Sequence, residues 1–229
     1  MDEIDFPFEN GKLYESIVVI QWPNQQRFNA SAMGIRFSGN KVMFLKPYPD
    51  TDTFELLMNP NVKFITINFT DDVEYFALAA LRGEHAGIDV EEMDQSYLDI
   101  HKGYAFLKQS QILILGEINI RNKPIFLKNP HSSEEHPEFK VTFQVLVKEM
   151  YQSFKQSQPV NRGDNLALEA IVYASKIPAI QKQQNSRNDI QKLIDRVRDF
   201  QYDIRRFSAS QRALKVCDMV DKFLEEIKS

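Results

Sequence analysis

The chain has 229 residues, 43% of them hydrophobic, which suffices for one large domain or a domain with a substantial annex, and for a core that needs no covalent staple. Its 28 basic and 32 acidic residues leave a formal net charge of −4, which removes the electrostatic case for nucleic acid or an anionic membrane as the main partner. A single cysteine, Cys217, excludes an intramolecular disulfide and a cysteine-rich metal site, and points to a reducing, cytoplasmic setting.

Residues 1–9 are acidic and lack the basic segment and apolar run of a signal peptide. No stretch approaches about 18 uninterrupted apolar residues, so neither export nor membrane anchoring is expected. From Tyr14 to Tyr151, short runs rich in Val, Ile and Phe predict strands over 15–22, 28–37, 41–47, 62–69, 111–121, 124–127 and 139–150. Trp22-Pro23-Asn24-Gln25 and Ser38-Gly39-Asn40 supply turn chemistry between the first three, which predicts consecutive antiparallel hairpins and a barrel. A short helix is expected to follow the third strand, over 54–58. Val73, Phe76, Ala77, Ala80 and Leu81 mark one face of a second helix over 71–82, started near Asp71 or Asp72 and expected to plug one end of the barrel. The acidic stretch 84–104 reads as a loop, with a helix as the alternative.

Beyond Asn161 the apolar spacing becomes helical. Helices are expected over 165–177, on the stripe Ile190, Leu193, Ile194, Val197 and Ile204, and on the stripe Ala213, Cys217, Val220, Leu224 and Ile227. The Gln-rich 181–184 reads as a polar connection, and Ser208 before Gln211 as a capping-box start for the last helix. The fold class is therefore α+β, a β-barrel domain over 1–156 followed by a small helical domain over 157–229.

Three segments carry chemistry. In Phe28-Asn29-Ala30-Ser31-Ala32-Met33-Gly34, small residues interrupt a bulky strand, which lets a flat ligand approach the backbone or another element pack tightly. In Lys46-Pro47-Tyr48-Pro49-Asp50-Thr51-Asp52-Thr53, a cation, two hydroxyls and a helix N-terminus supply what a phosphate dianion needs; Thr51 or Thr53 equally serves as a helix cap. In Ile67-Asn68-Phe69-Thr70-Asp71-Asp72, the Asn68 amide suits the polar edge of a flavin or the phosphate loop, or an Asx turn ahead of the next helix, a role open to Thr70 with Asp71 as well.

In this order the three segments resemble the FMN-binding split-barrel flavoproteins related to flavin reductases. More narrowly, they resemble an uncharacterised, mainly archaeal flavoprotein family in which the barrel is followed by a helical C-terminal domain. Pro159-Val160-Asn161-Arg162-Gly163 and Glu169-Ala170-Ile171-Val172-Tyr173-Ala174-Ser175-Lys176 are similar to that family's second signature. The resemblance implies FMN across a homodimer interface, with phosphate contacts from Lys46, Thr51 and Thr53 and a further contact from Tyr48. The ring would lie against the backbone of Asn29, Ala30, Ser31, Ala32 and Met33. Asn68 and Thr70 would complete the pocket. Asn161 and Arg162 would reach it from the helical domain, or act as a helix cap and a surface ion pair. Asp50 and Thr51 stand where the family pattern has glycine and serine, and Lys46 and Lys176 where it has arginine, so a point charge replaces a planar fork.

Metal catalysis finds little support, because His85, His101, His131 and His136 have no ligand spacing. Cys217 falls on an apolar stripe, where an inert thiol is expected. Arg187, Arg196, Arg198, Arg205 and Arg206 are interleaved with Asp189, Asp195, Asp199 and Asp203, which reads as a solvated, ion-paired face. The functional expectation is an FMN-dependent oxidoreductase of unknown substrate. The alternatives are a flavin-binding protein without turnover and a split barrel holding haem or deazaflavin.

Overall fold

The computed structural model describes residues 7–11, 13–23, 25, 27–39, 41–48, 51–81, 97–121, 125–127, 138–140, 142–152, 162–181, 187–207 and 210–228. The chain divides into two compact units, Met1–Phe69 with Asp99–Ser153, and Thr70–Leu98 with Phe154–Ser229.

The first unit is built on β1 (Leu13–Gln21), β2 (Phe28–Phe37), β3 (Val42–Leu45), β4 (Phe64–Phe69), β7 (Ile112–Arg121) and β10 (Phe143–Gln152). They close into an antiparallel barrel in the order β1-β2-β3-β10-β7-β4. Period-two patterning drives the closure: Val18, Ile20, Ile35, Phe37, Met43, Leu45, Ile65, Ile67, Ile114 and Val145 share one buried core, and their sequence neighbours face outward. Gly116 is fixed by that packing, because a Cβ there would collide with the Cγ1 of Val145. Two register shifts in the β10–β7 pairing, at Gln144/Val145 and Val147/Glu149, supply the bends that let β7 and β10 follow the barrel wall.

The barrel end where β3 finishes and β4 starts is filled by α1 (Asp52–Met58), whose Leu56 and Leu57 are buried in the barrel core. Phe54 sets its ring edge-on to Phe143 at 6.1 Å. At the other end Phe8 stacks on Phe37, with ring centroids 4.3 Å apart and planes at 12°, and lies 4.5 Å from Phe69. The plug is thus α1 and not the helix over 71–82. That helix, α2 (Val73–Ala80), belongs to the second unit and packs on α3 (Arg162–Ala174) and α6 (Gln211–Lys228). Six of its eight residues are buried, so its apolar pattern named no particular partner.

Where a loop or helix was expected, β5 (Leu98–His101) and β6 (Tyr104–Leu107) form a hairpin. Lys102 and Gly103, at φ 51° and 83°, make its two-residue turn, a geometry that tolerates glycine best and matches strand twist. The strand expected over 139–150 is two elements: β9 (Glu138–Lys140) pairs with β8 (Ile125–Leu127) in a separate sheet, and β10 begins at Phe143.

In the second unit, α3, α4 (Ile177–Gln181), α5 (Arg187–Phe207) and α6 bury Ala167, Ala170, Ile171, Val197, Ile204, Val220 and Phe223, among others. Gln201, buried in α5, donates to the Cys217 carbonyl at 3.0 Å and to Asp221 Oδ1 at 2.9 Å, which pins α5 to α6. Ser210 caps α6 by accepting from the Ala213 N–H at 3.2 Å; Ser208, the expected cap, lies outside the described residues. Among the described residues no helix is long and apolar enough to cross a membrane.

Candidate functional site

The pleat of β2 divides the predicted ring strand in two. Asn29, Ser31 and Met33 point to the interior side, in line with Ile35 and Phe37, whereas Ala30 and Ala32 face outward opposite Val19 and Ile17. At the α1 end of the barrel, Asn29 Nδ2 donates to Thr53 Oγ1 at 2.8 Å and to Ser31 Oγ at 3.3 Å, and the Ser31 and Thr53 hydroxyls touch. Two segments 24 residues apart in sequence therefore meet in one polar cluster, with Thr53 3% and Asn29 9% exposed. Asn29 donates both amide hydrogens, and one hydroxyl hydrogen closes the Ser31–Thr53 contact, so the second hydroxyl hydrogen is left for an outside acceptor.

The rest of the phosphate segment is more exposed. Thr51 is the N-cap of α1: its Oγ1 accepts from the Phe54 N–H at 3.2 Å and donates to the Tyr48 carbonyl at 2.8 Å. Its hydroxyl is thus already engaged in capping, the alternative role that its position allowed. Lys46 and Tyr48 are exposed after β3, and Lys46 has no ion-pair partner among the described residues. Pro49 and Asp50 lie outside the described residues.

Asn68 requires a correction. It is 0% exposed, and its amide is saturated within the barrel unit. Nδ2 donates to the Ile17 carbonyl at 3.1 Å and to Thr66 Oγ1 at 3.4 Å; Oδ1 accepts from the Leu107 N–H at 2.9 Å and from Ser110 Oγ at 3.0 Å. This side chain ties β1 and β4 to the strand β6 lying across them, and it presents no atom to a ligand. Thr70 accepts from the Asp72 N–H at 3.1 Å in the turn before α2, and it falls in the second unit. Asn161 lies outside the described residues, as do His85, His131 and His136; Arg162 opens α3, and its side chain is not described.

Two features went unread in the sequence. Ser16, fully buried, donates to the Met33 carbonyl at 2.9 Å and ties β1 to the end of the small-residue run. A cleft of about 470 Å³ opens on the outer face of β1 and β4, between Trp22, Phe64 and Tyr104. The lone tryptophan was the available signal, but Pro23 beside it marked the segment as a turn. In the second unit, burial pushes the Cys217 thiol up to about 11, as befits an inert core thiol. Burial likewise raises Asp72 above the usual carboxylate range, opposed by its bond to the Glu74 N–H and by Arg212.

The sequence pattern of the family described as "Protein of unknown function (DUF447) N-terminal domain" matches residues 14–152. Among solved structures, an FMN-bound protein of that family from Methanosarcina mazei superposes with a TM-score of 0.70 at 15% identity, over 95% of this chain and 97% of its own. A flavin reductase described as putative, with a split barrel domain, from Shewanella frigidimarina gives 0.47 at 15% identity, over 64% of this chain and 70% of its own. An FMN-binding protein from Thermus thermophilus gives 0.44 at 14%, over 66% and 75%. No functionally curated protein matches the chain. With its closed six-stranded barrel, its helical C-terminal region and more than half its length matched, the chain belongs to the DUF447 family.

Proposed function

We propose that the protein binds FMN on the barrel, with the phosphate at the start of α1 and the ring along β2. The carrying observation is the convergence of Asn29 and Ser31 from β2 with Thr53 from α1. The donor set suits a phosphate dianion: one hydroxyl hydrogen of the Ser31–Thr53 pair, the Asp52 and Thr53 N–H groups that precede the capped Phe54 N–H at the start of α1, and the Lys46 ammonium. Asp52 and Glu55 in the first turn of α1 oppose it, which leaves Lys46 the task of offsetting their charge. The Methanosarcina relative that shares this fold over 95% of the chain holds FMN, which supports the same ligand class here.

Bound FMN would supply hydride or electron transfer, and the protein's part is placement and electrostatics. Asn29 holds Thr53 in one rotamer, so that its hydroxyl meets the phosphate already oriented. Ala32, half-buried on the outer side of β2, keeps that side low, so a ring can lie close to the backbone. We assign the protein to the flavin-dependent oxidoreductases on this basis, acting as a homodimer as the family resemblance implies.

The first measurement is the visible spectrum of the purified protein before and after adding FMN. Flavin absorption that co-purifies or is taken up stoichiometrically is the expected result; a chain that stays colourless with added FMN overturns the assignment. Anaerobic mixing with nicotinamide and deazaflavin donors then reads turnover. Flavin that no donor reduces would leave a binding protein without oxidoreductase activity. Light scattering with and without FMN tests the dimer.

A further inference from the structure

The cleft on the outer face of β1 and β4 shares no residue with the proposed FMN contacts, and its walls have a definite chemistry. Trp22 at the end of β1, Phe64 at the start of β4 and Tyr104 at the start of β6 supply aromatic surface, and Val19 and Thr66 lie at its base. The walls are held in place. Arg27 lies over the Trp22 ring at 5.4 Å, and the backbone N–H of Trp22 donates to the Arg27 carbonyl at 2.9 Å. The Phe64 and Tyr104 rings meet edge-on at 5.5 Å, and Thr66 donates to the Ala105 carbonyl at 2.6 Å, binding β6 to the cleft wall.

The charge among the residues lining the cleft is of one sign. Lys63 stands at its edge and pairs with no carboxylate among the described residues, and no described residue lining the cleft is acidic. Asn61 and Gln21 add neutral amides. At about 470 Å³ the space is that of a small-molecule site and not of a single side chain. Aromatic walls favour a flat ring, and an unpaired ammonium at the mouth favours an anion attached to it.

We propose that this cleft binds a planar aromatic carboxylate, its ring among Trp22, Phe64 and Tyr104 and its carboxylate on Lys63. Val19 at the base pairs directly with Ala30, so the cleft begins one strand away from the face on which the flavin ring is placed. The cleft stands on its own residues and does not require FMN.

Trp22 is the only tryptophan in the chain, so its emission reports on this cleft alone. The full-length protein as isolated is titrated with 1-naphthoate, and in parallel with neutral 1-naphthalenemethanol. The expected result is saturable quenching by both, with naphthoate tighter. In Lys63→Gln the naphthoate dissociation constant rises about five-fold, and that of the alcohol is unchanged. Lys63 is exposed, so the variant should melt with the wild type. Quenching that never saturates overturns the proposal, as does equal affinity of Lys63→Gln for naphthoate. A Trp22 closed to acrylamide in a stable dimer also overturns it, by assigning the cleft to a second copy. Loss of flavin uptake in Lys63→Gln would assign the cleft to the flavin itself and has the same consequence.

Discussion

Thr51 and Thr53 are two residues apart and chemically identical, yet they do different work. Thr51 is exposed and closes the first turn of α1, whereas Thr53 is buried against Asn29. Thr51→Ala should therefore cost about 1 kcal/mol of stability, read by urea denaturation, with little change in flavin affinity. Thr53→Ala combined with Lys46→Ala should weaken FMN at least about ten-fold while sparing riboflavin, because the lost groups address only the phosphate. Equal losses for the two flavins would place the phosphate elsewhere. Asn68→Ala strands the Leu107 N–H and the Ile17 carbonyl in the interior and should cost about 3 kcal/mol, with unchanged FMN affinity for the fraction that folds. The residue types were legible in the sequence, but a buried clamp and a ligand contact use the same amide, and only the partners of Asn68 separate the two.

At the scale of elements, strand identity followed from runs rich in Val, Ile and Phe, and β2 covers the expected 28–37 although small residues interrupt it. The hairpin β5–β6 escaped because two four-residue strands show too few periods to stand out in an acidic stretch. The helix over 71–82 was expected to plug the barrel, and the helix whose side chains fill a barrel end is α1. Both α1 and α2 carry apolar residues, but only α1 delivers Leu56 and Leu57 to the barrel interior. Leu57→Ala should thus destabilise the barrel by about 3 kcal/mol and disturb the flavin site with it, because the same helix carries Thr53. Comparing the chemical denaturation midpoint with FMN affinity in this variant checks both effects. For α2, the buried N-cap Asp72 has a raised pKa, so the native state takes up a proton more readily than the unfolded chain. Its contribution is most favourable below the unfolded carboxylate range and is lost as pH rises through the folded value. Asp72→Asn keeps a good cap and removes the buried charge. It should raise thermal stability at neutral pH, with an advantage over wild type that disappears on acidification.

For the whole molecule, the division of the chain is discontinuous: 70–98 joins the C-terminal helices, so the polypeptide leaves the barrel unit after β4 and returns at β5. Cys217 reports on the second unit, since it is buried with its thiol pushed up to about 11. Reaction with a thiol reagent at pH 8 should be slow in the native protein and become rapid only when the helical unit is opened by denaturant; immediate labelling would contradict this packing. By itself the sequence determined a barrel followed by helices, a chain with a single cysteine and the segments that carry hydroxyls, amides and small residues. Those properties are local, written in a two- or 3.6-residue period and in side-chain type. Tertiary structure alone decided which helix fills the barrel, that Asn29, Ser31 and Thr53 meet while Asn68 is sealed inside, and that Trp22 borders a cleft. Each of these depends on contacts between residues far apart in the chain, and no periodicity within a segment encodes which distant surface will cover it.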